Sequence, residues 1–406
     1  VSLLAIIKCG AIYIPLDPAA PLARQKKILA QSGARFGLGD VPETEQITPL
    51  CVKTLMKGNL KDISNLGAGA ALCEKGQNPA ICIFFTSGST GTPKGVLIRE
   101  KAIINLVIEP GYVSIKPGNR MANWSNPTFD AQLFEIWGAL LNGATLVVFS
   151  QKELFEPSVF AEKVHKAKID YAFLTSTLFN FMVENHVAAI TQIKHLLVGG
   201  EALSAHASNH FYKAQGASIK SRLYNAYGPT ECTTFSLCHA LEASRLNEYQ
   251  QKGRVPIGVA IGQTSILIIK ENNEIALKGE KGELYLSGPP LAEGYLNDAV
   301  QTEKRFTFRA DLGANSQNLW YKTGDLVVLN DNNEIDYLGR LDDQVKIRGH
   351  RVEVGEIDHC LLTHPYIKEA ATFGVSQALG EKDLYSYLVL NQENNNALSK
   401  QDVKGY

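Results

Sequence analysis

The residues best equipped for chemistry lie between 86 and 95. Thr86-Ser87-Gly88-Ser89-Thr90-Gly91-Thr92-Pro93-Lys94-Gly95 combines hydroxyl donors, glycines that free backbone N–H groups, and one cation. That is equipment for holding a polyphosphate. It is not the common P-loop, which needs Gly-Lys-Ser/Thr opening a helix; here Pro93 separates Thr92 from Lys94. A polar surface turn after a strand has much the same composition, so the loop alone leaves both readings open.

Further clusters follow along the chain. Gly199-Gly200-Glu201 would let a flat ligand lie against bare backbone at a strand end, although a plain strand-to-helix turn reads the same way. Asn225-Ala226-Tyr227-Gly228-Pro229-Thr230-Glu231 puts an aromatic face, a hydroxyl and a carboxylate in one turn. Mg2+ on ATP takes one or two protein carboxylates plus phosphate oxygens, so Glu231 is a candidate metal ligand and Tyr227 a candidate to stack on a base. Tyr321-Lys322-Thr323-Gly324-Asp325 sets an acid after a glycine at a strand start, suited to two vicinal ribose hydroxyls. Residues 336–349 are densely charged, and a solvated strand face accounts for them equally well.

The elements that must position these residues are readable from periodicity. Ile81–Phe85 is a short apolar run that reads as a buried strand feeding the first loop. Residues 21–32 read as a helix between Pro21 and Gly33. Residues 39–79 read as loosely structured surface. From 96 to 225 strand-like runs (Met121–Trp124, Thr145–Phe149, Tyr171–Leu174, His195–Val198, Ile219–Tyr224) alternate with helical patterns (Phe134–Leu141, Ser158–Lys168, Ser204–Ala214). Ser158 and Ser204 are candidate N-caps. This alternation predicts an α/β architecture with mostly parallel strands. After about 255 strands dominate (Ser265–Lys270, Glu283–Ser287, Leu326–Asn330, Ile335–Gly339), predicting a small antiparallel barrel or sheet. From Asp342 a strand, a helix over Val354–Leu362 and two more strands begin a third unit that looks unfinished at 406.

Bulk properties narrow the partners. At 406 residues two or more domains are expected. Net charge is −1, which points to neither a nucleic-acid nor an anionic-membrane partner. No run approaches the ~18–20 apolar residues of a membrane helix. Seven cysteines without CxxC spacing fit free thiols in a reducing cytoplasm. The chain opens at Val1 inside an apolar pattern and closes at Tyr406, and it reads as part of a longer polypeptide.

The motifs occur in a telling order: 86–95, Gly199-Gly200-Glu201, Asn225–Glu231, Gly282-Glu283-Leu284-Tyr285-Leu286-Ser287-Gly288, Tyr321–Asp325, and Gly339-Arg340-Leu341-Asp342-Asp343-Gln344-Val345-Lys346-Ile347-Arg348-Gly349. Together they resemble the adenylate-forming enzymes: acyl-CoA synthetases, luciferases and peptide synthetase adenylation domains. Gly10-Ala11-Ile12-Tyr13-Ile14-Pro15-Leu16-Asp17-Pro18 and Leu291-Ala292-Glu293-Gly294-Tyr295-Leu296 resemble specifically the amino-acid adenylation domains of nonribosomal peptide synthetases. The resemblance covers nearly the whole chain. It implies a large N-terminal domain over 1–341 (two α/β subdomains to about 255, then a β-barrel over about 256–341) and a partial α+β C-terminal subdomain over 342–406. The family's Leu-Pro-x-Tyr-Met-Pro string and its catalytic lysine in Pro-x-x-x-x-Gly-Lys do not occur in the chain.

The resemblance also implies roles. Thr86, Ser87, Gly88, Ser89, Thr90, Gly91 and Lys94 cradle the ATP phosphates, and Gly200, Glu201, Asn225 and Tyr227 form the adenine slot. Thr230 contacts phosphate, Glu231 carries Mg2+, and Asp325 and Arg340 hold the ribose. Asp342 is a hinge that brings Lys346 into the site. Lys94, Thr230, Glu231 and Lys346 are the implied catalytic set. Asp130 grips an α-amino group, because a buried carboxylate demands a cation. The side-chain pocket is Ala131, Phe134, Phe173, Leu197, Gly199, Ala226, Thr234 and Phe235, an uncharged wall suited to valine or isoleucine. The implied activity is formation of an aminoacyl-adenylate and its transfer to the phosphopantetheine thiol of a carrier protein. Neighbouring synthetase domains are implied partners, and a small activator protein can be another. Two alternatives stand beside this: an acyl- or aryl-CoA ligase, which has no use for Asp130, and a non-catalytic scaffold module, which has no use for the intact charged set.

Overall fold

The computed structural model describes residues 1–39, 41–42, 47–50, 80–88, 92–216, 218–309, 318–347, 350–376 and 382–391. Ser89, Thr90 and Gly91, and most of the stretch read as loose surface, lie outside the described residues.

Near the N-terminus β1 (Phe36–Leu38) pairs in parallel with β2 (Thr48–Leu50). The apolar run at 81–85 is the body of β3 (Ala80–Thr86), which turns back into β4 (Lys94–Arg99). The two are antiparallel with Thr86 opposite Lys94, so the hydroxyl-rich stretch is a hairpin loop carrying its lysine at the foot. Tyr13 bridges to Cys82 alongside β3. Among the described residues β1–β2 and β3–β4 are two separate two-stranded sheets.

The main sheet has seven strands in the order β11-β10-β9-β8-β7-β5-β6. These are β5 (Arg120–Asn123), β6 (Thr145–Val148), β7 (Tyr171–Thr175), β8 (His195–Gly199), β9 (Arg222–Tyr227), β10 (Leu237–Ala240) and β11 (Val259–Ala260). β6 through β9 run parallel; β10 and β11 are antiparallel additions. Helices cover both faces, which is why β7, β8 and β9 are buried almost throughout. Alternation sorts their residues into two cores. Phe173, Leu197 and Ala226 join the core under the helix Ala131–Leu141. Leu174, Leu196, Val198 and Leu223 join the one under the helices Pro157–Ala167, Ser176–Ile190 and Ala205–Ala214.

β5 lies between β6 and β7, so the connections leaving β5 and β7 depart in opposite directions. A crevice opens outside the carboxyl ends of parallel strands at such a switch point. The turn carrying Asp130 leaves β5 at that place.

Beyond the sheet, β12 (Ser265–Ile269), β13 (Lys281–Ser287), β14 (Phe306–Phe308), β15 (Leu319–Leu329) and β16 (Ile335–Arg340) form a five-stranded antiparallel sheet. A hairpin of β17 (Val345–Ile347) and β18 (His350–Val352), the helix Val354–Leu362, and the pair β19 (Ile367–Ser376) and β20 (Lys382–Leu390) follow.

Several boundaries differ from the sequence reading. Ser204 does cap its helix, accepting from Ala207 N at 3.2 Å. Ser158 does not cap: Pro157 takes the first helical position, where its fixed φ and missing N–H cost nothing, and Glu156 is the N-cap. The helices Glu100–Val107 and Ser176–Ile190 were not expected. The second is started by Thr175, whose hydroxyl accepts from Leu178 N at 3.3 Å. β15 begins at Leu319, so Asp325 sits inside a strand and not at its start.

Candidate active site

The carboxyl ends of β8 and β9 meet β16 of the five-stranded sheet around a cleft of about 160 Å³. Gly200, Glu201, Asn225, Tyr227, Arg340 and Lys346 all line it. Gly199 can only be glycine: a Cβ there would stand 2.3 Å from the Ala226 carbonyl oxygen. Thr177 Oγ1 donates to Glu201 Oε2 at 2.7 Å, and Asn225 Nδ2 donates to Pro256 O at 2.8 Å. Both polar side chains are thereby fixed at the rim.

Asp325 and Arg340 face each other across β15 and β16. Arg340 Nη1 donates to Asp325 Oδ1 at 2.9 Å, and the Tyr227 hydroxyl donates to Oδ2. Arg340 also donates from Nε and Nη2 to Asp342 at 2.8 and 2.7 Å, and Arg305 reaches Asp342 Oδ2 at 3.3 Å. Asp342 therefore lies at the junction between β16 and the β17–β18 hairpin, held by two guanidinium groups. Lys346 stands 5.8 Å from the centre of the Tyr227 ring. Desolvation holds its ammonium below the ordinary lysine range, with Asp325 pulling the other way.

Glu231 sits on a single 3-10 turn, Thr230–Cys232, and is 1% exposed. The Tyr295 hydroxyl donates to Oε1 at 2.7 Å, and Arg351 Nη1 donates to Oε2 at 2.6 Å. Burial pushes this carboxyl up, but Arg351 and Tyr295 outweigh it and bring it down to about 2. The turn ends in Thr233 and Thr234 at φ +54° and +70°. Two successive non-glycine residues in the left-handed region are strain of the kind found at functional sites. Thr234 Oγ1 donates to Asp130 O at 2.9 Å, which fixes the strained turn against the switch-point loop.

Asp130 is 7% exposed. Burial raises its carboxyl from 3.8 to about 6, against the Thr230 hydroxyl bonded to it. The eight wall residues surround the start of its helix. Phe134, Phe173 and Phe235 pack with centroids 5.5 Å (134–235) and 5.4 Å (173–235) apart, and none is more than 2% exposed. Ala131, Leu197 and Ala226 are as closed and Thr234 nearly so. On the other side of Asp130 a cavity of about 220 Å³ opens, lined among others by Asp17, Arg24, Ser87, Phe129, Thr230 and Arg351.

Lys94 faces a carboxylate of this same chain: Nζ lies 3.7 Å from Glu353 Oε1 and 6.0 Å from the centre of the Tyr295 ring. Ser87 Oγ donates to Arg351 O and accepts from Glu353 N at 3.3 Å. Gln344 joins both charges, accepting from Arg351 Nε at 2.8 Å and donating to Glu353 Oε1 at 2.5 Å. Gly88 is another forced glycine, since a Cβ would lie 2.1 Å from Thr92 O. The structure thus brings Thr86, Ser87, Gly88, Lys94, Asp130, Thr230, Glu231, Asp325, Arg340 and Lys346 around one crevice. Arg351, Glu353, Gln344 and Tyr295 belong there too, and motif reading assigned them no part. Arg351 lies in β18 and Glu353, the N-cap of the next helix, is still extended one residue past the strand, so their spacing of two puts both on one face.

A crevice at a switch point, a glycine-forced hairpin with a lysine at its foot, and a cleft with an acid and an aromatic ring at its edge are what an adenylate-forming enzyme requires. Residues 1–296 match the family described as "AMP-binding enzyme", and the chain belongs to it. Malpibaldin synthetase of Mortierella alpina is 36% identical over 391 residues, covering 95% of this chain and 7% of the relative. Tyrocidine synthase 3 of Brevibacillus parabrevis is 34% identical over 412 residues, 100% of this chain and 6% of the relative. The chain therefore spans only a small part of these relatives. Among solved structures, an NRPS protein containing adenylation and PCP domains, bound to a vinylsulfonamide inhibitor, superposes with a TM-score of 0.85 at 28% identity, over 99% of this chain and 66% of that one. Among the described residues no helix is long and apolar enough to cross a membrane.

Proposed function

We propose that this chain activates an amino acid, valine or isoleucine, as its adenylate and delivers it to the phosphopantetheine thiol of a carrier protein within a cytoplasmic peptide synthetase. The observation that carries the reading is Asp130, a desolvated carboxylate at the switch point, beside an uncharged wall and the Thr230–Glu231 turn. An α-ammonium would supply the compensation that the Thr230 hydroxyl and the Lys346 and Arg351 charges leave incomplete. A CoA ligase for simple acids would carry that cost without a return, and a non-catalytic scaffold would not need the charged set opposite it.

In the first step an amino-acid carboxylate oxygen attacks the α-phosphorus of ATP and the bond to the β-phosphate oxygen breaks, releasing pyrophosphate. Lys94, Thr230 and the N–H groups of the 86–91 loop neutralise and position the phosphates, which is most of what phosphoryl chemistry asks of a protein. Tyr227, Asn225, Gly200 and Glu201 take the base; Asp325 and Arg340 take the ribose. Glu231 fits Mg2+, because one buried carboxylate plus phosphate oxygens satisfies its preference for oxygen ligands. When bound, Mg2+ would supply charge neutralisation to the leaving pyrophosphate. Arg351 and Glu353 then have to leave Glu231 and Lys94, so the unit beyond Asp342 moves between two positions. With that hairpin seated as described, the cavity beside Asp130 gives a thiol access to the adenylate carbonyl; sulfur attacks and AMP leaves.

The wall is closed on itself, so a branched side chain enters only as an aromatic ring turns aside. Pyrophosphate exchange across all proteinogenic amino acids and 3-methylbutanoate tests the reading. Valine and isoleucine are expected within ~10–200-fold of each other, the worth of one methylene. A charged or aromatic winner would refute the pocket, and good exchange with 3-methylbutanoate would refute the role of Asp130.

A further inference from the structure

We propose that Glu135, which has no part in the chemistry above, is the positioning residue that sets Asp130 and the aromatic wall for the amino acid. The inference rests on the reading of Asp130 as the amino-group site.

Glu135 is 0% exposed. A buried carboxylate is tolerated only where donors satisfy it. Its donors come from three consecutive residues. Asn123 Nδ2 donates to Oε2 at 2.7 Å, Trp124 N to Oε2 at 3.2 Å, and the Ser125 hydroxyl to Oε1 at 2.7 Å. Ser125 N lies 3.3 and 3.2 Å from the two oxygens. Burial lifts the carboxyl to about 7 even against these bonds, the mark of a group placed for its acceptors and not for its charge.

The position of the donors in the chain is what matters. Residues 123–125 leave the carboxyl end of β5, and the turn that follows ends in Asp130. Glu135 is on the helix Ala131–Leu141, which begins directly after Asp130. Its side chain therefore ties the entrance of the turn to its exit. Within the strapped segment, Asn126 O accepts from Phe129 N at 2.9 Å and Asn126 Oδ1 accepts from Thr128 N at 2.9 Å. Asn126 Nδ2 donates to Asp17 Oδ2 at 2.8 Å. The same strap reaches the wall: Trp124 donates its indole N–H to Phe173 O, with its ring against Phe149 and Phe160 at 5.1 and 5.5 Å. One carboxylate thus fixes both the acid that would hold the ammonium and a ring that would hold the side chain. It touches neither substrate.

The test is pyrophosphate exchange by the intact protein with its best amino acid, comparing Glu135→Leu with Glu135→Gln. Leucine fills the space and leaves the donors of 123–125 unanswered. Glutamine keeps one acceptor for Asn123 and Trp124 and can donate to the Ser125 hydroxyl. For Glu135→Leu the KM of the amino acid should rise between ~10-fold and ~10²-fold, the scale of a small misplacement at a site. The KM of ATP should move less than about 2-fold, and Glu135→Gln should restore most of the amino-acid KM. If Glu135→Leu fails to fold, Ser125→Ala and Asn123→Ala remove one donor each and should raise the same KM by less. An unchanged amino-acid KM, equal rises in both KM values, or a glutamine variant as impaired as leucine overturns the inference. A wild type without amino-acid-dependent exchange overturns the proposed function and this inference with it. A wild type that exchanges normally beside unaffected variants overturns this inference alone.

Discussion

Asp130→Asn should stabilise the free protein while destroying its use. Burial lifts the Asp130 carboxyl from 3.8 to about 6, so above that pH the empty site holds an ionised group it would sooner protonate. At 1.36 kcal/mol per pH unit, the difference is worth about 3 kcal/mol against the folded state. The sign follows from linkage: the native protein binds this proton more tightly than the unfolded chain, so the contribution favours folding below about pH 4. It is lost as pH rises to about 6 and stays lost above. Asparagine has no charge to desolvate. Relative to Asp130→Asn, the wild type should therefore lose stability across that window and lie flat at higher pH. Urea denaturation of both proteins at pH 4, 5, 6 and 8 reads this directly. The amino acid should then raise the wild-type midpoint at pH 8, where the carboxylate is free to meet its ammonium, and leave the variant unmoved. A stability difference that does not change with pH would refute the desolvation argument. An equal response of both proteins to the amino acid would refute the ion pair.

Other outcomes follow from single contacts. Lys94→Ala and Glu231→Gln should each slow adenylate formation on the order of 10²-fold in pyrophosphate exchange, one by removing a charge at the outer phosphates and the other by weakening the metal site. Arg351→Ala strands Glu231 in the interior and should cost ~3–5 kcal/mol in urea denaturation. The pair's contribution is full above about pH 4.5 and fades as pH falls toward the Glu231 value of about 2. Unchanged melting would refute the pairing. Gly199→Ala forces a methyl group to 2.3 Å from Ala226 O and 3.3 Å from Phe173, so it should unseat the wall and lower both stability and exchange.

What the sequence made legible was local. The apolar runs at 171–174 and 195–198 marked central parallel strands, because a strand buried on both faces has to be apolar throughout. Ser204 showed its helix start through one side chain. The helix Ser176–Ile190 escaped because Thr175 closes a strand and caps the helix at once, leaving no polar interval to read. Kinship of the motifs supplied the list of site residues; periodicity alone would not have gathered Asp130, Glu231 and Asp325 into one crevice.

What stayed hidden depends on partners distant in the chain. Arg351 and Glu353 lie past the charged stretch 336–349, and nothing near them in the chain points to Glu231, 120 residues before Arg351, which accepts from it. The hairpin carries a cation to the carboxylate proposed for Mg2+ and an anion to the lysine proposed for phosphate. In that arrangement Glu231 and Lys94 each have a counter-charge, which accounts for two ionised side chains staying buried there. On the proposed reading, metal and phosphate would bind by exchange, replacing Arg351 at Glu231 and Glu353 at Lys94. An exchange of like charges would cost less than charging an empty site, since each buried charge has a counter-charge before and after it. The same argument explains why Asp130 differs from Glu231. Among the described residues no side chain of the hairpin bonds to its carboxylate, and it rises to about 6 where Glu231 falls to about 2. The acid whose neighbouring cations, Lys346 and Arg351, do not offset its burial is the one proposed to wait for the substrate's own.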